Sequence, residues 1–328
     1  MGTLTAITTS QGVQVHTISV PAGNSSLCSF NFYLLHDGKS LTLIDAAISS
    51  EKCWKQLTDT LDAHGWSIPD IDRILLTHHH GDHVGLVPRI LSERIIPVYA
   101  HPAAIPRLGM DTDFLEMRYR FFQRLYKEMG CGTAGDTRLA KFQETIRNAD
   151  QLALKTDILP ITEGEIVAGL TVLETPGHSL DSISFLDPAR KWLFVGDVLI
   201  AHSSTNAIID PDLEGNRLPS VAQHRDSLLK LQGIDAGTVF PGHGDLIEGH
   251  RELIKSKLAK MDRKMERMMG LIASGISTAH DLAEAYYGET YRKEFSLVIS
   301  EIIGHLDYLE GQGRIQKTMK QGVWHYQI

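Results

Sequence analysis

Between residues 13 and 20 the chain alternates apolar and polar positions (VQVHTISV), the period-two pattern of a strand with one buried face. Two further apolar runs, 30–36 (FNFYLLH) and 41–45 (LTLID), flank Asp37-Gly38, a pair suited to tight reversal, so a hairpin is expected. The period then lengthens. Trp54, Leu57 and Leu61 recur at spacings of three and four and predict a helix over 50–64 that Gly65 can close. Strands are expected again at 72–76 (DRILL) and 97–100 (PVYA), and this alternation of strands with helices implies a layered α/β domain.

Residues 111–129 differ, because Phe114, Met117, Phe121, Phe122, Leu125 and Met129 form an apolar stripe at helical spacing. With a second, more polar helix over 136–149 they make a helical insertion at about 111–150. Strands resume at 165–173, 183–186, 192–195 and 238–240. After 248 the pattern becomes a long helix (249–273), a helix over 278–287 with Ser277 as its cap, a third at 292–310, and two strands around Gln321-Gly322 within 314–327. That order resembles a winged-helix domain, so the expected domains are 1–248 and 249–328.

A length of 328 residues suits two domains, and 42% hydrophobic with 22% charged residues excludes a disordered chain. No apolar run approaches the roughly 18 residues of a membrane span. The start, MGTLTAITTSQG, has no basic, apolar export signal, and Ala6 breaks the myristoylation pattern. Cys28, Cys53 and Cys131 form no Cys-x-x-Cys, which argues against a disulfide framework or zinc ribbon and for a cytoplasmic setting. There the formal glycosylation acceptor Asn24-Ser25-Ser26 is not used. Residues 1–250 carry 20 Lys and Arg against 30 Asp and Glu, while 251–328 carry 12 against 10. The acidic body disfavours nucleic acid as partner, although a local groove can depart from the average; a small-molecule substrate is expected, and a homodimer is allowed.

Histidine is the outlier, at 16 residues. Residues 77–85 read Thr-His-His-His-Gly-Asp-His-Val-Gly directly after an apolar strand, which brings His78, His80, Asp82 and His83 out on one loop. Imidazoles and a carboxylate at such short spacing on an irregular loop can converge on a metal. Glu-Thr-Pro-Gly-His-Ser (174–179), Phe-Val-Gly-Asp-Val (194–198) and Phe-Pro-Gly-His-Gly (240–244) each put one more ligand-type side chain, His178, Asp197 and His243, beyond an apolar strand and beside glycine. By contrast, Gly130-Cys131-Gly132-Thr133-Ala134-Gly135 matches Gly-x-Gly-x-x-Gly but follows a helix, so it reads as a helix-ending loop rather than a phosphate cradle.

With Asp45 at the end of LTLID, these motifs stand in the order found in the metallo-β-lactamase superfamily, which the chain resembles over about 10–250. The resemblance implies a four-layer αββα sandwich with metals at one rim. It assigns His78, His80 and His178 to a first divalent ion, Asp82, His83 and His243 to a second, and Asp197 to both. Asp45 then orients the signature loop through hydrogen bonds, and His79, the variable position of the signature, is left unassigned. Two ions about 3.5–4 Å apart share one water and make it hydroxide at neutral pH, so the expected reaction is attack of a bridging hydroxide on an ester, lactone or thioester carbonyl. Asp82 is the candidate proton relay to the leaving group. Zinc is the default for a mainly imidazole set with two carboxylates, with iron or manganese also compatible.

Departures narrow the resemblance. Asp197 stands where the commonest zinc β-lactamases carry cysteine, no flavodoxin-like domain follows, and only 46 positions separate Asp197 from His243, leaving no room for a nucleic-acid-processing module. Thr175-Pro176-Gly177-His178-Ser179 is similar to glyoxalase II and lactonases, but Asp181 interrupts the run that follows. The C-terminal region resembles the extension of the β-lactamase-like protein 2 subgroup, one of whose animal members cleaves single-stranded RNA. The alternatives to carbonyl hydrolysis are therefore phosphodiester hydrolysis, a redox di-iron protein, and a winged-helix regulator with a vestigial site. The insertion falls where the superfamily places loops over the metals, so Phe121, Phe122 and Tyr126 are expected to wall the pocket. His202, Thr205 and Asn206, soon after Asp197, are expected to face it.

Overall fold

The computed structural model describes residues 5–8, 12–23 and 27–328, and the Asn24-Ser25-Ser26 acceptor lies outside the described residues. Seven strands form the first sheet in sequence order: β1 (Thr5–Thr8), β2 (Gln14–Pro21), β3 (Ser29–His36), β4 (Leu41–Ile44), β5 (Ile71–Leu75), β6 (Val98–Ala100) and β7 (Ile158–Pro160). It is antiparallel from β1 to β4 and parallel from there to β7. The second sheet contains β8 (Ile166–Val167), β9 (Leu170–Glu174), β10 (Ile183–Asp187), β11 (Trp192–Gly196) and β12 (Thr238–Pro241), ordered β12-β11-β10-β9-β8. A separate hairpin, β13 (Gln316–Lys320) with β14 (Val323–Gln327), closes the chain.

Alternation of side chains along the strands builds the layers. Phe32 and Leu34 of β3 face the helix Glu51–Ala63 through Leu57 and Leu61. Their neighbours Tyr33 and Leu35 point the other way, against Phe185, Phe194 and Phe240 of the second sheet. Leu193 and Val195 of β11 point outward again, to Leu228 and Leu231 of the helix Ser220–Gly233. The result is helix, sheet, sheet, helix. Strands buried on both faces read as nearly continuous apolar runs, which is why LTLI and WLFV were visible in the sequence.

Several boundaries moved for identifiable reasons. The run 165–173 is two strands, because Ala168 and Gly169 both take positive φ (52° and 75°) and reverse the chain. The helix Val87–Glu93 was not anticipated, nor was Ser220–Gly233, whose buried face includes polar Ser220, His224 and Ser227 and so hides its period. Gly130 ends the insertion helix Thr112–Glu128 as expected, but the next helix, Gly132–Arg147, already begins within the glycine run. Thr278, not Ser277, caps Ala279–Tyr287 by accepting the Asp281 backbone N–H at 3.1 Å, while Ser277 pairs with the His325 ring. The expected third helix is broken at Glu294 into Glu289–Lys293 and Phe295–Gly311.

The insertion does not stand apart from the C-terminal helices. Phe121, Leu125, Tyr126 and Met129 share one core with Met265, Met268, Ile302 and Leu306. Among the described residues no helix is long and apolar enough to cross a membrane.

Candidate metal centre and its cleft

The carboxyl ends of β5, β11 and β12, with the loop between β9 and β10, converge on one rim. His78 and His80 follow β5, His80 in extended conformation, Asp82 and His83 occupy the short helix Gly81–Val84, and His178, Asp197 and His243 follow β9, β11 and β12. Two groups result: His78, His80 and His178, and Asp82, His83, Asp197 and His243, each with its ligand-type atoms within 4.8 Å of one another.

Asp197 lies between the groups. Its Oδ2 is 3.2 Å from His243 Nε2 and 3.7 Å from His178 Nε2, and its Oδ1 is 3.3 Å from His83 Nε2. Asp82 Oδ2 is 3.4 Å from His243 Nε2. His80 Nδ1 and His178 Nε2 face each other at 3.0 Å, a separation at which two lone pairs need a proton or a cation between them.

The opposite ring nitrogens are held from behind. His78 Nδ1 meets the Thr77 hydroxyl at 3.1 Å, His83 Nδ1 the Asp45 carboxylate at 2.8 Å, His178 Nδ1 the Asn206 carbonyl at 3.0 Å and His243 Nδ1 the Ser29 carbonyl at 2.7 Å. Such contacts fix tautomer and ring orientation and leave the inner nitrogen as a lone-pair donor. Asp45, at a left-handed φ of 57°, also accepts the Thr77 backbone N–H and hydroxyl, each at 2.8 Å. Backbone strain at a residue that ties a ligand loop to a neighbouring strand is the kind that function retains.

A cation fits this donor set. His78 Nε2 is buried without a hydrogen-bond partner, a cost of about 1–3 kcal/mol unless something satisfies it, and His83 Nε2 and Asp197 Oδ1 face only each other, at 3.3 Å and outside hydrogen-bond geometry. Burial and the surrounding imidazoles hold His78 and His80 well below the usual imidazole range, and burial lowers His178 despite Asp197, so all three are neutral donors. In the second group burial is outweighed by charge. Asp197 and Asp45 raise His83, Asp197 and Asp82 raise His243 to about 9, and those imidazoles in turn hold Asp197 well below the carboxylate range. A divalent cation bound at His83 and His243 would therefore compete with protons for the same nitrogens.

Beside the first group opens a cleft of about 350 Å³. His79 and His80 line its inner end, Phe122, Tyr126, Leu139 and Phe142 of the insertion one wall, and Arg118 joins them. Phe122 and Tyr126 both line this cleft, and Tyr126 also belongs to the core shared with the C-terminal helices. Phe121, by contrast, turns into the core shared with the C-terminal helices and lines no part of this cleft. His202 is exposed and sits against Gly244 rather than in the cleft, Thr205 lines a separate cavity with His224 and Lys257, and Asn206 contributes its carbonyl to His178.

Two features beside the site escaped sequence reasoning. Asp181 is fully buried and takes both the backbone N–H (2.8 Å) and the ring Nδ1 (2.7 Å) of His79. Arg107 and Arg118 both bond Asp210, at 2.8 and 2.5 Å, pinning the insertion helix to the loop that carries Ile208 and Ile209 into the cleft. The presence of Asp181 just after His178 was the one local signal; both arrangements join residues 92–103 positions apart.

A four-layer αββα sandwich with imidazoles and carboxylates gathered at one rim is the architecture of a metallo-hydrolase. The sequence profile of the Metallo-beta-lactamase superfamily matches residues 27–243. The probable metallo-hydrolase YqjP of Bacillus subtilis (strain 168) is 32% identical over 283 residues, 85% of this chain and 87% of that protein. An atrochrysone carboxyl ACP thioesterase of Aspergillus fumigatus is 26% identical, over 81% of this chain and 70% of its own. In structure the chain resembles a metallo-beta-lactamase family protein from Thermus thermophilus, with TM-score 0.77, 24% identity and coverage of 95% and 98%. The chain belongs to the metallo-beta-lactamase superfamily, whose fold implies divalent metal ions.

Proposed function

We propose that this metallo-hydrolase holds two divalent ions, zinc by default, and hydrolyses an ester, lactone or thioester. The observation that carries the reading is the placement of Asp197 between two groups of ligand-type side chains, where His78 Nε2, His83 Nε2 and Asp197 Oδ1 are buried without a hydrogen-bond partner. His78, His80 and His178 would hold one ion and Asp82, His83 and His243 the other, with Asp197 within reach of both groups. When bound, the ions lower the pKa of a water toward neutrality and polarise the substrate carbonyl. Asp45 fixes His83 and the signature loop through Thr77. Asp82 is the more solvent-facing carboxylate, its side chain 25% exposed against 8% for Asp197, and so is the group that can hand a proton to the departing oxygen or sulfur. Phe122, Tyr126 and Leu139 give the cleft an apolar wall that favours a substrate with an apolar portion beside the scissile carbonyl, consistent with a relative named as a thioesterase.

The test is elemental analysis of the purified protein beside turnover of an ester, lactone, thioester and phosphodiester panel, with Asp197→Asn as control. Two equivalents of metal, carbonyl hydrolysis and a loss of at least about 100-fold in Asp197→Asn are expected. Turnover of phosphodiesters alone, or of nothing with both ions bound, overturns the reading.

A further inference from the structure

The cleft does not end at its apolar wall. Arg138, Ser296 and Leu297 line both it and a second cavity of about 350 Å³, so the two adjoin. The second cavity is basic: Arg138, Lys141, Arg292 and Lys293 surround it, and Glu294 is its one lining carboxylate. Arg292 is neutralised by Glu284 and Glu289, each at 3.3 Å. Arg138, Lys141 and Lys293 have no ion-pair partner among the described residues, and all three are exposed. Three unpaired cations at one mouth run against a chain of net charge −8. The helices Gly132–Arg147, Glu289–Lys293 and Phe295–Gly311 bring them together, so the insertion and the C-terminal region build this mouth jointly.

From the metal rim outward, a substrate meets imidazole, then aromatic and aliphatic wall with Arg118, then this cationic mouth. We infer that the substrate is an acyl thioester or ester whose leaving half carries phosphate, with the apolar part of that half along the cleft and the phosphate held by Arg138, Lys141 and Lys293. Three cations converging on one opening match a multiply charged group better than a single carboxylate, and Arg138 adds the planar fork that phosphate oxygens accept. Hydrolysis adds water to the carbonyl carbon and breaks its bond to sulfur or oxygen. An acid and a phosphate-bearing thiol or alcohol leave. The position of the reacting carbonyl rests on the hydrolase reading above; the anion site itself does not.

The test separates the two. Coenzyme A and pantetheine, which differ in their phosphate-bearing part, are titrated calorimetrically into the metal-loaded protein. Coenzyme A should bind at least about tenfold more tightly, and Lys141→Glu/Lys293→Glu should remove most of that advantage, as should about 0.5 M salt. The milder Lys141→Gln/Lys293→Gln should give an intermediate loss, which excludes misfolding of the charge-reversed variant as the cause. Equal affinity for both ligands, or a variant that still binds coenzyme A as wild type does, overturns the inference. So does tight binding of a single-stranded oligoribonucleotide at this mouth that coenzyme A cannot displace. Turnover is then compared for one acyl chain on coenzyme A and on N-acetylcysteamine, and the variant should lower the ratio of their kcat/KM values about tenfold. If coenzyme A binds through the lysines but no ester, lactone or thioester is hydrolysed, the hydrolase reading fails while the anion site stands.

Discussion

Gly242 stands where no side chain fits. A Cβ there would lie 2.4 Å from Asp197 Oδ1 and 2.5 Å from His83 Cε1, so even a methyl group must displace two groups of the candidate centre. Gly242 does not take a positive φ, so alanine's backbone preference is not violated and the clash alone is tested. Gly242→Ala is expected to keep the fold but to lower bound metal by at least about one equivalent, read by elemental analysis beside circular dichroism. Full metal content in a folded variant would mean that the rim relaxes around the methyl. At this scale much of the site was legible. His78, His80, Asp82, His83, His178, Asp197 and His243 stand at strand ends, three of those ends marked by an adjoining glycine, and short spacing or an apolar run announces each one. The His79–Asp181 pair and the Arg107–Asp210–Arg118 bridge were not legible, because such partners are chosen by the packing of layers and leave no local period.

Neighbouring positions on one helix carry different burdens, and this the sequence reported only in part. The stripe from Phe114 to Met129 announced an amphipathic helix, yet its apolar face is shared between a core and a cleft. Phe121 is 5% exposed and belongs to the core cluster that includes Ile302 and Leu306, whereas Phe122 is only partly buried against that cluster and lines the cleft, with Arg118 over its ring at 5.5 Å. Spacing alone cannot divide such a face, because residues one apart differ by only about 100° around the helix axis. The two alanine variants should therefore diverge. Phe121→Ala is expected to cost about 3–5 kcal/mol of stability and leave KM nearly unchanged. Phe122→Ala should leave stability closer to wild type and lower kcat/KM for the best ester or thioester at least about tenfold, with metal content intact. Thermal melts and steady-state kinetics on the same preparations decide it. Equal effects of both variants on kcat/KM would remove the insertion from the substrate pocket.

Chain order suggests a cut near 248, where the sandwich gives way to helices, but the cores run across that cut. Ile254, in the helix His250–Ala273, packs with Leu228 and Val239 of the sandwich, and the same helix carries Met265 and Met268 into the cluster with Phe121, Leu125 and Met129. Charged contacts cross as well: Arg217 bonds Asp307 at 2.9 Å, Arg225 bonds Asp262 at 2.7 Å, and Lys257 Nζ donates to the Ala201 carbonyl at 3.0 Å, just past Asp197. The C-terminal region thus covers the insertion and braces the loop behind the candidate centre. A chain ending at residue 248 would leave the insertion's apolar stripe open to water, a patch of the kind that drives association. It is expected to aggregate or to stay unfolded, with metal uptake lost, while the full chain melts in a single cooperative transition. Supplying 249–328 in trans should restore little, because the missing surface must form during folding of the insertion. Calorimetry of the full chain, with size-exclusion and metal analysis of the fragment, makes the comparison. A monomeric 1–248 fragment that binds two metals and melts as one of two resolved transitions would establish the cut as a true domain boundary. It would also detach the basic mouth at Lys293 from the body that carries the candidate centre.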